Sequence, residues 1–332
     1  MIKPLRPAAG AIWQRSFLLI TVFLTLAVLG VIAWRTNAQV KRDNDAAVTG
    51  DQARSNRESR TAKDELPGID ALALSPPTDA HDLTSLADSP LLNKDKSLQI
   101  EERFGVPTYL WAAPEDPGVH LQTSRDAQIA SRRHLERYAA FYGLQDRDVA
   151  AAKIASVHDT GSGAIIVKFR EQAGGIEVFR EEISIAMDRD LRLIAISGYL
   201  SGASRKVSQQ KDVTFHLTEK DAVARGLSDL AARDFGEVDL EGKGTTKGNY
   251  NLYAFGEGAQ ARNSSRFITP ARAKKVYFHL PEGFVPAYYI ELDLADVNST
   301  DSNYYSYVIS ALDGHILFRN NLTASDAYGY RV

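Results

Sequence analysis

The sequence predicts an α+β protein: two tandem modules, each a helix packed on an antiparallel β-sheet, behind an N-terminal hydrophobic segment and a disordered spacer. Three observations carry this expectation. An uncharged apolar run, Ser16–Trp34, follows Lys3, Arg6 and Arg15. The chain from Gln39 to about residue 96 is polar, poor in aromatics and without period, which predicts disorder. Beyond it, an amphipathic helical pattern followed by alternating strands occurs twice.

In order along the chain, residues 1–38 read as a secretory signal with a cut after Ala38, or as a retained signal-anchor, since the run is near the length that spans a bilayer. Either way the remainder is expected outside the cytoplasm: secreted, extracellular or periplasmic, or membrane-anchored through residues 16–34 alone. Residues 39–96 form the spacer. The first module, residues 97–205, opens with a short strand at Tyr109–Pro114. A helix follows, with Ser124 as N-cap, Asp126 in the first turn, an apolar stripe of Leu135, Tyr138 and Tyr142, and Gly143 as the left-handed stop. Two hairpins come next: Lys153–Asp159 against Gly163–Glu171 across Thr-Gly-Ser-Gly, and a tight Gly174-Gly175 turn into Ile176–Asp188. In that last strand Phe179, Ile183, Ile185 and Met187 share a parity, which predicts one apolar face.

Ser201–Asp212 reads as a polar linker to the second module, residues 206–322. Its helix starts at Thr218 with Asp221 in a capping arrangement, and Val223, Leu227 and Leu230 form its stripe. After a glycine-rich stretch come the strand segments Lys274–Leu280, Phe284–Leu294 and Ser306–Asn320, the last turning at Asp313-Gly314, the strongest hairpin turn in the chain, between two alternating strands. Residues 323–332 read as a linker.

Composition and motifs exclude several functions. A net charge of -3 and a pI near 6.2 argue against nucleic-acid binding. The absence of cysteine removes disulfides, thiolate catalysis and cysteine-ligated metals. None of the seven histidines begins a His-Glu-x-x-His helix, and there is no Gly-x-Ser-x-Gly elbow and no phosphate loop with a lysine. Glu181 and Glu182, adjacent on a strand, point to opposite faces and do not form a carboxylate pair. The acidic segment Asp296–Asn303 lacks the glycine and distal glutamate of an EF-hand and reads as a hairpin loop. Asn263, Asn298 and Asn321 stand in glycosylation sequons that matter only in a glycosylating host. The chain itself is therefore expected not to be an enzyme.

The segment FREQAGGIEVFREEISIAMDRDLRLIAISG resembles the fungalysin/thermolysin propeptide (FTP) module through Phe169, Gln172, Gly175, Ile176, Val178, Phe179 and the closing Ser197-Gly198. The second module resembles a PepSY-like domain through PAYYIELDL and the strands flanking Asp313-Gly314. The closing ASDAYGYRV resembles the segment that leads into the mature peptidase, which marks Ser325, Asp326, Ala327 and Tyr328 as the processing region. The resemblance implies the N-terminal prodomain region of a secreted fungalysin-like zinc metalloendopeptidase, an intramolecular chaperone and inhibitor of its peptidase. The implied partner is the cognate catalytic domain in cis; zinc belongs to that domain, and no cofactor to this chain. The departure from the family pattern is the lack of a catalytic domain after Val332. This leaves two expectations: a fragment of a longer precursor, or a stand-alone secreted or membrane-tethered protein that inhibits a peptidase in trans.

Overall fold

Strands dominate the architecture, and all thirteen of those described join one sheet. The computed structural model describes residues 65–77, 89–93, 95–96, 98–113, 126–246, 248–262, 264–299 and 301–323. The apolar run at 16–34, Ser124 and the processing region Ser325–Tyr328 lie outside the described residues. Among those described, no helix is long and apolar enough to cross a membrane.

The strands are β1 (Ile69–Asp70), β2 (Gln99–Glu101), β3 (Val106–Trp111), β4 (Lys153–His158), β5 (Ile165–Ala173), β6 (Ile176–Met187), β7 (Leu193–Gly198), β8 (Leu240–Thr246), β9 (Tyr250–Phe255), β10 (Ser265–Leu280), β11 (Gly283–Asp296), β12 (Ser302–Ser310) and β13 (Ile316–Asn321). The helices are α1 (Ala71–Leu74), α2 (Ala127–Tyr138), α3 (Asp146–Ala151), α4 (Ala203–Gln209), α5 (Glu219–Ala231) and α6 (Glu257–Arg262).

The expectation of two separate helix-on-sheet modules is overturned. A single mixed sheet of 13 strands runs β1-β13-β12-β11-β10-β6-β7-β3-β2, with β5 and β4 branching from β6, and β9 and β8 from β10. The join is a parallel pairing of β6 with β10 over two register pairs, Glu177 with Val276 and Val178 with Tyr277. Each of these long strands changes partner along its length. On β6, Ile183–Met187 pairs with β7, whereas Glu177–Val178 pairs with β10. On β10, Ala271–Ala273 pairs with β9 before Val276–Tyr277 meets β6. Two sheets that read as separate in one dimension fuse because each offers a stretch of free strand edge, and unpaired edge groups seek partners.

Helices α2, α4 and α5 pack on one face of this sheet. Leu135 and Tyr138 of α2 meet Phe169, Ile183 and Ile185. Val223 and Leu227 of α5 meet Ile290, Leu292 and Tyr307. Ala203 and Val207 of α4 meet Val178, Tyr277 and Phe284 at the join. Among the described residues, the opposite face carries a small cluster of Val276, Phe278, Ala287 and Val308, against which Ala71 and Leu72 of α1 lean.

Local signals behave as their chemistry dictates, with specific exceptions. Gly143 ends the first helical segment in the left-handed region, with φ 61°. The Thr218 side chain caps α5 by accepting from the Asp221 amide at 3.0 Å. The N-cap of α2 is Asp126, not Ser124; its carboxylate accepts from the Gln128 amide at 2.8 Å. The stretch read as a linker contains α4, whose Ala203 and Val207 are buried. The glycine-rich stretch contains the β8–β9 hairpin.

The spacer is also ordered in part. Leu66 is buried in the core beneath α5, and Ile69–Asp70 adds a strand beside β13. Arg319 donates to the Pro67 carbonyl at 2.9 Å and pairs with Asp229, so the incoming segment is tied to both β13 and α5.

Candidate functional site

The site lies where β6 leaves β10, and the motif hairpin builds it. Gly174 and Gly175, at φ 58° and 84°, make the two-residue turn between β5 and β6. Left-handed φ at both positions matches the right-handed twist of the flanking strands. The pairing begins regularly, Ala173 with Ile176 and Gln172 with Glu177, but resumes at Arg170 with Glu182. Four residues of β6, Val178–Glu181, thus stand against Glu171 alone. Arg180 takes φ 62° within this bulge.

The bulge reverses parity. Val178 is buried with the α4 cluster, and Ile183, Ile185 and Met187 are buried beneath α2. Phe179 points to the opposite face and packs in the small cluster there. The expected shared face of Phe179, Ile183, Ile185 and Met187 is therefore corrected: an odd number of extra residues separates Phe179 from the other three. The Phe179 ring lies 5.1 Å from that of Phe318, 5.6 Å from Tyr289 and 5.9 Å from Phe278. The Arg180 guanidinium stacks over Phe318 at 5.1 Å and pairs with Asp70 at 3.0 Å.

Three cavities, of about 200, 410 and 690 Å³, share Arg180 as a wall, and Phe179 lines the first two. The smallest penetrates the gap where β6 and β10 diverge, reaching Glu181, Tyr199 and His279. The second is framed by Tyr250, Tyr289 and Lys274. The third runs along α1 to Phe318 and Asn320. This is an aromatic surface with fixed charges, on the sheet face opposite α2, α4 and α5.

Beneath it, the bulge turns Glu181 inward, where it is 2% exposed beside the equally buried Glu171. One hydroxyl serves both: Ser201 Oγ donates to Glu181 Oε2 at 2.6 Å and lies 3.4 Å from Glu171 Oε2. Glu171 also accepts from the Ser201 and Gly202 amides at 2.8 and 3.0 Å. Burial, and then the neighbouring Glu181, push the Glu171 carboxyl up to about 7. His279 Nδ1 lies 2.5 Å from Glu181 Oε1, and its ring is sandwiched between Phe104 and Phe284 at centroid distances of 4.2 and 4.3 Å. The carboxylate stands between the hydroxyl and the imidazole. That order is not the one in which an imidazole takes a proton from a serine nucleophile.

The remaining motif residues are structural. Phe169 is fully buried, Gln172 pairs with Glu177, and Ile176 packs beside the α4 cluster. Ser197 pairs with Ser184 on one side and Tyr109 on the other. Gly198 has φ 79°, and a Cβ there would fall 2.0 Å from the Glu182 carbonyl oxygen, so only glycine fits. Asp313 and Gly314 form the β12–β13 turn, in which the Asp313 carboxylate accepts from the His315 amide at 3.1 Å. Glu182 does point away from Glu181, into ion pairs with Lys168 and Arg170. The carboxylate pair that the sequence did not disclose is Glu171 with Glu181. Regular pairing from the Gly-Gly turn sets Glu171 opposite Val178, and only the bulge brings Glu181 to it. Among the described residues, no group of three His, Asp or Glu side chains is arranged to hold a metal ion.

In comparisons with known proteins, the chain matches no family model and no curated sequence.

Proposed function

We propose that this chain is a docking and folding module of the propeptide type: the N-terminal, non-catalytic region of a secreted fungalysin-like zinc metallopeptidase, which assists and restrains the catalytic domain in cis. One observation supports this reading above others. Within the segment that carries the resemblance, residues 169–198, the stretch Ile176–Glu182 is the one around which the three cavities gather. Its Phe179 and Arg180 stand on a half-buried aromatic surface, the composition that protein interfaces favour.

The physical logic is mass action. A surface that binds the native peptidase and not its unfolded chain stabilises the native form. Covalent linkage raises the effective concentration to about millimolar, so a modest interface suffices, and cutting the linker removes that advantage.

The test uses a purified fungalysin-type zinc metallopeptidase as probe. The chain added to it should inhibit casein hydrolysis at near-stoichiometric ratio, and Arg180→Glu should weaken inhibition at least tenfold while leaving the circular dichroism spectrum unchanged. Absence of both inhibition and complex formation on size exclusion counts against the reading. Sequencing the source gene beyond the Val332 codon separates a cis prodomain, followed by His-Glu-x-x-His, from an inhibitor acting in trans.

A further inference from the structure

The β6–β10 join holds the long sheet together through two register pairs, and the gap beside it is filled by titratable groups. We propose that this join is a proton-controlled joint: proton uptake by Glu171, packed with Glu181, Ser201 and His279 where β5, β6, β10 and α4 meet, closes it, and proton loss loosens it. The inference rests on the geometry of the join and not on the peptidase-docking reading.

Every part of the join supplies a member of the cluster. Glu171 comes from β5, Glu181 from β6, Ser201 from the turn before α4, and His279 from β10. Glu181 therefore ties β6 to β10 through His279, and to α4 through Ser201. Glu171 ties β5 to the start of α4, where the Ser201, Gly202 and Ser204 amides face it.

The proton inventory makes this a switch. The Ser201 hydroxyl has one hydrogen and lies within reach of two carboxylates, so it satisfies one of them at a time. A proton on one of the two carboxylates removes their mutual repulsion in a buried space; without it, two like charges share one pocket. Other charged groups face the cluster but are already paired. Asp148 and Arg205 form an ion pair beside Gly202, with both side chains largely buried. On the cavity side, Arg180 pairs with Asp70, and Arg103 with Glu101. Tyr199 lines the same cavity, and burial followed by the charges of Glu181 and Glu101 raises its phenol well above the ordinary value. His279 faces Glu181, whereas the groups that meet Glu171 are the Ser201 hydroxyl and the Ser201, Gly202 and Ser204 amides, which carry no charge.

The sign follows from linkage. The closed joint holds its proton up to about pH 7, whereas an opened, solvated glutamate releases it near 4.5. Closure is therefore favoured at acid pH and loses up to about tenfold per pH unit on the way up to about 7, levelling off above.

Hydrogen–deuterium exchange on the full chain reads this directly. After correction for intrinsic exchange rates, protection of the amides around Val276 and Tyr277 should fall at least about tenfold between pH 5 and pH 8, while amides of the β11–β12 pairing hold. Glu171→Gln keeps the acceptor oxygen and removes one charge, so it should stay protected at pH 8. Equal pH dependence in the wild type and Glu171→Gln, or flat protection in the wild type, overturns the proposal. Should Glu171→Gln fail to fold, carbon-13 titration of the wild-type glutamate carboxyls decides: a buried pair with one member titrating near 7 supports the joint, and two ordinary carboxylates sink it.

Discussion

Phe179 shows how a single backbone conformation redistributes the energetics of a strand. The left-handed Arg180 sends Phe179 to the face opposite α2, whereas Ile183 is fully buried beneath α2. Ile183→Ala is therefore expected to cost about 3 kcal/mol, and Phe179→Ala about half that, since part of its ring already meets solvent. Urea midpoints of the two variants at one pH check the ranking; equal losses would restore the alternation expected from sequence. The two glycine sites separate in the same way. Gly175 faces open space at φ 84°, so Gly175→Ala carries only the left-handed strain of about 1–2 kcal/mol. Gly198→Ala drives a methyl group into the Glu182 carbonyl and should prevent folding or cost at least about 3 kcal/mol, read by soluble yield and thermal midpoint. Both glycines stand in the motif as read from sequence; the backbone oxygen that makes one of them indispensable is visible only in three dimensions.

At the scale of elements, the β5–β6 hairpin sets a pH dependence. The Glu171 carboxyl is raised by burial and by Glu181 from an ordinary 4.5 to about 7. Between these values the folded chain holds a proton that the unfolded chain has released, so stability falls as pH rises through the window, by at most about 3 kcal/mol. Glu171→Gln should flatten that slope relative to the wild type in urea titrations at pH 5 and pH 8. A variant slope as steep as the wild type would place the titration elsewhere. The segment ahead of α1 makes a second prediction. Leu66 sits in the core under α5, and its amide donates to the Tyr305 hydroxyl at 3.0 Å. Leu66→Ala should lower stability by about 2–3 kcal/mol, although the residue lies in a stretch with the composition of a spacer. Composition describes a window of chain and misses one leucine that finds a cavity in a distant core.

Over the whole molecule, the 13-stranded sheet implies shared cooperativity. With Trp13 and Trp34 replaced by phenylalanine, Trp111 on β3 reports on one end of the sheet, and far-ultraviolet circular dichroism reports on all of it. Urea unfolding at pH 5, where the joint is closed, should give coincident midpoints by the two probes. Separate transitions at that pH would mean that the β6–β10 pairing adds little and that the two ends of the sheet fold independently. The same continuity builds the aromatic surface proposed for docking, because Arg180 comes from β6, Phe318 from β13 and Tyr289 from β11. A surface assembled from strands on both sides of the join exists only while the join holds.

The sequence by itself determined those parts of the local structure that short-range chemistry controls. The α5 cap at Thr218, the left-handed stop at Gly143, the Gly174-Gly175 and Asp313-Gly314 turns and the apolar stripes of α2 and α5 all follow from chemistry within a few residues. It also yielded ten residues of a motif, all of which find structural places in the hairpins. Tertiary structure alone decided three things: that β6 and β10 share an edge, that Phe179 parts company with Ile183, and that Glu171 meets Glu181 over one serine hydroxyl. The physical reason is common to all three. Hydrogen-bond demand at free strand edges, and a bulge where a strand changes partner, are settled between segments and not within one, and no periodicity within either segment encodes which edge will meet which.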